Sequence, residues 1–206
     1  DDRAGVFLPK NLWDHRYFLG RDQNISCRYA VHQNKMKQAP IVAFLILFSI
    51  MGTQAQAQQF PVIRAETLSK KQVVFPEVTR GQYAFILIAF KRQSQGEVDS
   101  WLDPFIEDFG GREGITFYEI PMISASWKWM SSWIDSGMRM GVPDYKHDHV
   151  ATYYGPLKDY FTQLGIIDPG KVHVFLLDKA GKIIWRDTGP ASERKYKVLQ
   201  EIVRKK

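Results

Sequence analysis

Cysteine is nearly missing from this 206-residue chain, and the single example, Cys27, lies in its first third. From Gln58 onward there is none. That stretch can form no internal disulfide, cannot pass through a thiolate or mixed disulfide, and offers no lipid attachment point after the apolar stretch that precedes it. A strong charge of one sign is lacking as well. Residues 58–206 carry 21 Lys or Arg against 18 Asp or Glu, a net of +3. So weak and dispersed a balance argues against nucleic acid as a partner. The basic end Arg204-Lys205-Lys206 is read as a solvated terminus. Neither G-x-G-x-x-G, nor G-x-x-x-x-G-K-[ST], nor G-x-S-x-G occurs, which leaves no sequence signal for a nucleotide cradle or a nucleophile elbow. There is no internal repeat and no low-complexity linker.

What is present begins with an export pattern. Met36-Lys37 is followed by an apolar stretch from Ala39 to Met51 and then by Ala55-Gln56-Ala57. A positive start, an apolar centre and an A-x-A site in that order make a secretory signal peptide over 36–57, cleaved after Ala57. The apolar stretch is short for a membrane span, which takes about 20 residues. A retained anchor is the weaker alternative. Residues 1–35, without a methionine or a sustained period, are read as an extension upstream of the start at Met36. The working part is then one exported domain, 58–206, placed in the periplasm or envelope of a bacterium. Its length suffices to bury roughly two-thirds of the unfolded surface.

Within that domain, Phe60–Ile63 and Gln72–Phe75 read as short extended pieces. Tyr83–Phe90 is apolar without alternation, as a strand buried on both faces requires. Ser94-Gln95-Gly96-Glu97 fits a capping box opening a helix with its stripe at Val98, Trp101, Leu102, Phe105 and Phe109, kinked at Pro104. Ile115–Ile120 is a strand stopped by Pro121. A helix over Ser126–Met138 is expected to bury Met130, Trp133, Ile134 and Met138 and to leave Trp129 outside. A further helix starts near Gly155-Pro156, with Leu157, Tyr160, Phe161 and Leu164 inward. Val172–Leu177 and Lys182–Trp185 form a hairpin, and a last helix buries Tyr196, Leu199 and Val203. The order β–α–β–(helical insert)–α–β–β–α predicts an α/β fold: a central mixed sheet flanked by helices on both faces.

Phe85–Phe90 running into the helix after Ser94, and Val172–Trp185 running into Gly189, resemble the thioredoxin fold. In a redox thioredoxin a C-x-x-C pair opens that helix; here the place holds Lys91–Glu97, without a thiol. The cis-proline usual before the penultimate strand is replaced by Gly170-Lys171-Val172. More narrowly, Ser100–Phe105, Glu119-Ile120-Pro121, Val174–Asp178 and Gly181–Trp185 are similar to the ATP10 family over most of residues 60–203. Characterised members of that family are mitochondrial and help to assemble the membrane sector of the ATP synthase. The resemblance therefore implies an assembly or interaction protein with a protein partner, one that is associated with a membrane. The export signal departs from the family's mitochondrial setting.

Candidate chemistry is sparse, and neither a catalytic residue nor a cofactor is expected. Trp127 and Trp129, with Met138-Arg139-Met140, form a candidate interaction surface, since aromatic anchors dominate many interfaces; packing over the sheet is the plainer reading. Lys91, Arg92 and Ser94, with Tyr153 and Tyr154, could meet an anion or small ligand at the old active-site edge. That would make the protein an enzyme or ligand binder instead. His147 and His149, with Asp144, offer too few ligands for a structural zinc site and read as a solvated polar turn.

Overall fold

The computed structural model describes residues 58–206. The expected signal peptide at 36–57 and the extension at 1–35 lie outside the described residues. The elements are β1 (Ile63–Thr67), β2 (Gln72–Phe75), β3 (Tyr83–Ala89), α1 (Gln95–Phe109), β4 (Ile115–Ser124), α2 (Ser131–Gly141), β5 (Ala151–Gly155), α3 (Lys158–Leu164), β6 (His173–Leu177), β7 (Ile183–Thr188) and α4 (Glu193–Arg204). They build one seven-stranded sheet in the order β2-β1-β5-β4-β3-β6-β7. β3 runs parallel to β4, and β4 to β5, while the outer pairs are antiparallel. This is the mixed, helix-flanked α/β sheet that the sequence predicts.

β3 explains why both faces need cover. Ala84, Ile86 and Ile88 point into one apolar cluster with Phe60, Phe75 and Phe175, covered by Leu157 just before α3 and by Phe161 and Leu164 within it. Phe85 and Leu87 point into the other, where α1 supplies Trp101 and Phe105, and α4 supplies Leu199 and Val203. Trp101 is wholly buried, and its indole N–H donates to the Gly189 carbonyl at 2.8 Å. A large ring at the α1–α4 seam thus also satisfies a buried polar group.

Several local expectations are corrected. The first extended piece lies later than expected, at Ile63–Thr67, where Ile63, Ala65 and Thr67 point inward and Arg64 and Glu66 do not. β4 does not stop at Pro121. Ala89, the last residue of β3, faces Pro121, and the strand then continues beside β5 to Ser124. β5 is a strand to which the sequence reading assigned no element; its Ala-Thr-Tyr-Tyr-Gly is short but carries residues that suit a pleated surface. α3 begins at Lys158, leaving Pro156 outside it.

The insert differs most. A 3-10 run at Ala125–Met130 precedes α2, so the expected single helix over Ser126–Met138 is broken in two. The tighter winding shifts the phase of the aromatic stripe. Met130, Ile134 and Met138 are half-buried, but Trp133 is 73% exposed, and the one buried residue of α2 is Asp135. Trp133 is therefore no part of the core. Trp101→Ala should cost about 3–5 kcal/mol of folding free energy. Trp133→Ala should cost less than about 1 kcal/mol, as surface changes do. Guanidinium melts of the two variants check this, and equal losses would refute the assignment.

Candidate functional site

The parallel strands β3, β4 and β5 all finish at one edge of the sheet, the edge at which α/β sheets commonly place their sites. From β3 the chain enters Lys91–Glu97. The expected capping box does not form. Ser94, buried, donates its hydroxyl to the Gly170 carbonyl at 3.0 Å, and Glu97 accepts the Val172 N–H at 2.9 Å. Both side chains are drawn across to the segment leading into β6, and α1 is left without a side-chain cap. Beside them His173, absent from the sequence reading, is buried with Nε2 2.9 Å from the Asp168 carbonyl and its ring edge-on to Phe90. Lys91 and Arg92 remain exposed.

The two tyrosines of the ligand-binding alternative have hydrogen-bond partners of their own. Tyr153 donates to the Pro156 carbonyl at 3.1 Å and packs edge-on to Tyr160; its hydroxyl is pushed up to about 12, chiefly by burial. Tyr154 donates to Asp135 at 2.8 Å. Burial, and then the Asp135 carboxylate, hold that hydroxyl far above the usual phenol range, so it stays a donor at physiological pH. A cavity of about 490 Å³ lies away from this edge, between the β1–β2 hairpin and the first half of β4, with Val73, Phe109, Phe117 and His149 in its wall.

The Tyr154–Asp135 bond ties α2 to the sheet. Arg139 adds contacts to the Leu68 carbonyl at 3.4 Å and to Ser136 at 2.9 Å. His147 Nε2 sits 2.9 Å from the Val142 carbonyl, and Lys146 pairs with Asp103 at 3.1 Å across to α1. Polar contacts thus secure the insert, while its large apolar side chains face outward: Trp127 is 52%, Trp129 80% and Met140 86% exposed. Of the sequence-predicted surface, Trp127, Trp129 and Met140 are open, Met138 and Arg139 are half-buried, and Trp133 joins the open group.

The histidine turn holds its members apart. His149 stacks on Phe117 with ring centroids 4.3 Å apart and its Nδ1 3.0 Å from the Phe117 carbonyl. Asp144 is solvated, 3.8 Å from His147, and Asp148 pairs with Lys71 at 2.8 Å. Among the described residues no three His, Cys, Asp or Glu side chains come together as metal ligands.

One titratable group in this half of the molecule is poised near neutrality. Glu119 lies buried on the α1 side of β4, and its carboxyl is raised to about 7. Burial is the main cause and the Asp99 carboxylate the second; Gln95 and the Lys146 ammonium pull partly the other way. The folded chain holds this proton more tightly than the unfolded one. The stabilisation is complete below about pH 4.5 and is lost as pH rises through about 7. Glu119→Gln should therefore gain up to about 3 kcal/mol over the parent at pH 8, at ~1.4 kcal/mol per pH unit, and match it near pH 4.5. Denaturant melts across that range measure the difference. A pH-independent offset would contradict it.

The sheet and its helices define a thioredoxin-like fold. The thioredoxin domain of a thiol-disulfide oxidoreductase from Bacteroides vulgatus shares this fold at a TM-score of 0.51 and 16% identity, covering 71% of this chain and 96% of that one. Yeast Sco1 does so at 0.52 and 12% identity, covering 73% and 97%; its copper-bound form gives 0.50 and 12%, covering 72% and 93%. Such identities speak for the fold alone. The particular family follows from the family model for ATP10 protein, which matches residues 48–205, and the chain belongs to the ATP10 family. No curated protein matches it. Family and fold together support an assembly or interaction role.

Proposed function

We propose that the domain is a non-redox interaction or assembly protein of the cell envelope, engaging its partner through the insert. One observation carries this reading. The insert buries its single carboxylate, Asp135, against Tyr154 and exposes Trp127, Trp129, Trp133 and Met140. A segment folded only for stability would do the reverse, since apolar rings gain from burial and a carboxylate loses by it. The non-redox part rests on the missing thiol. Residues 58–206 contain no cysteine, and Ser94 and Glu97 are committed to Gly170 and Val172 where a thioredoxin would carry its pair. The envelope location rests on the 36–57 pattern.

A photo-crosslinking residue introduced at Trp129 in the native host should capture a discrete envelope protein, whereas the same residue at the exposed Lys158 of α3 should not. Equal labelling from both positions would remove the insert as the contact surface. The mature chain recovered from that host should begin at Gln58. A chain that keeps Phe44–Phe48 would overturn the location.

A further inference from the structure

We propose that the insert meets its partner within the headgroup layer of an anionic bilayer, on which its exposed tryptophans rest. The inference builds on the contact surface assigned above and names the medium in which that surface works.

Charge is the first argument. Between the buried Glu119 and the solvated Asp144 the chain holds one carboxylate, Asp135, which is buried and accepts the Tyr154 hydroxyl. The charges that remain in this stretch are Lys128, exposed between Trp127 and Trp129, and the half-buried Arg139, whose contacts among the described residues are to a carbonyl and a hydroxyl and not to a carboxylate. A stretch with no exposed carboxylate of its own, carrying cations beside aromatics, complements a negative headgroup layer, where each nearby cation is favourable.

Ring chemistry is the second. Tryptophan pairs an apolar body with one N–H donor and collects at the level of the headgroups rather than in hydrocarbon. Trp127, Trp129 and Trp133 fall within seven residues, and none of their indole nitrogens is engaged in a hydrogen bond among the described residues. Geometry is the third. The eleven-residue α2 is far too short to cross a bilayer, and no described helix is long and apolar enough to do so. A short helix preceded by a tight 3-10 turn, with its rings projecting from one stretch, suits shallow lodging on a membrane.

The test uses the chain beginning at Gln58, the mature form proposed above, which carries the two apolar clusters found among the described residues; its cooperative denaturant melt is checked first. Sedimentation with vesicles of phosphatidylcholine alone or mixed with phosphatidylglycerol gives the affinity; tryptophan fluorescence reports the ring environment. Binding to the anionic vesicles should be at least tenfold tighter, shift the emission to the blue and weaken with salt. The variant W127S/W129S/W133S should lose at least tenfold in that binding while keeping its denaturant midpoint. Should the triple variant not fold, Trp129→Ser alone should lose at least threefold. Lys128→Glu should abolish the preference for anionic lipid. Absence of binding to anionic vesicles, or binding undiminished in the tryptophan variants, overturns the proposal. If crosslinking from Trp129 still captures one envelope protein in that event, the insert is a purely proteinaceous interface and the assembly reading stands. Vesicle binding without any such capture upholds the lipid contact and removes the assembly reading instead.

Discussion

β3 carries apolar side chains on both faces, and neither face can be left to water. With Ile86 and Ile88 on one side and Phe85 and Leu87 on the other, the strand requires a helix above and helices below it. α3 meets the first demand, α1 and α4 the second. The same strand sets the register of its neighbours, since Phe85 lies opposite Phe117 of β4 and Leu176 of β6. Once β4 is held there, its length carries it past the end of β3 by three residues, Met122–Ser124, and β5 pairs with that overhang. The insert starts where the overhang ends. Its position on the molecule is therefore a consequence of the burial of β3 and of the excess length of β4.

That geometry also decides what the old active-site position can do. In a redox thioredoxin the field at the helix N-terminus stabilises a thiolate. Here the corresponding segment supplies Ser94 and Glu97, whose polar atoms reach the Gly170 carbonyl and the Val172 N–H. These bonds bind the start of α1 to the lead-in of β6 and satisfy backbone groups that would otherwise be stranded near the core. The two side chains act there as a structural clasp. The buried His173 reinforces it through the Asp168 carbonyl.

Regular apolar periods were legible in the sequence. The run Tyr83–Phe90, the stripe from Val98 to Phe109, the C-terminal hairpin and the helix holding Leu199 and Val203 all follow from one-dimensional spacing, and they locate the sheet and its cover. Features set by partners distant in the chain were not. Ser94 and Glu97 match a local capping box, yet their bonds run to residues about 75 positions later, which no local pattern encodes. β5 escaped because five residues beside a Gly-Pro step are too few for a period to declare itself. The exposure of Trp129 could be argued from helical spacing. That of Trp133 could not, because the change from 3-10 to α winding at Ser131 is invisible in composition and alters which residues face the sheet.

The inverted insert turns this last point into a statement about function. Asp135 is the natural candidate for the solvated side of α2, and Trp133, two positions before it, for the packed side. The fold takes the opposite choice, and Tyr154 makes it tolerable by donating a hydrogen bond that a buried carboxylate needs. Trading buried indole for buried carboxylate forgoes apolar burial worth a few kcal/mol per ring. Against a total stability of ordinarily 5–15 kcal/mol, that is a large sacrifice for one peripheral segment. Departures from the stability-favouring pattern collect where a protein has something to contact. Here the departure takes a carboxylate off the surface and presents aromatic surface in a single rearrangement, which is what the contact proposed for the insert requires.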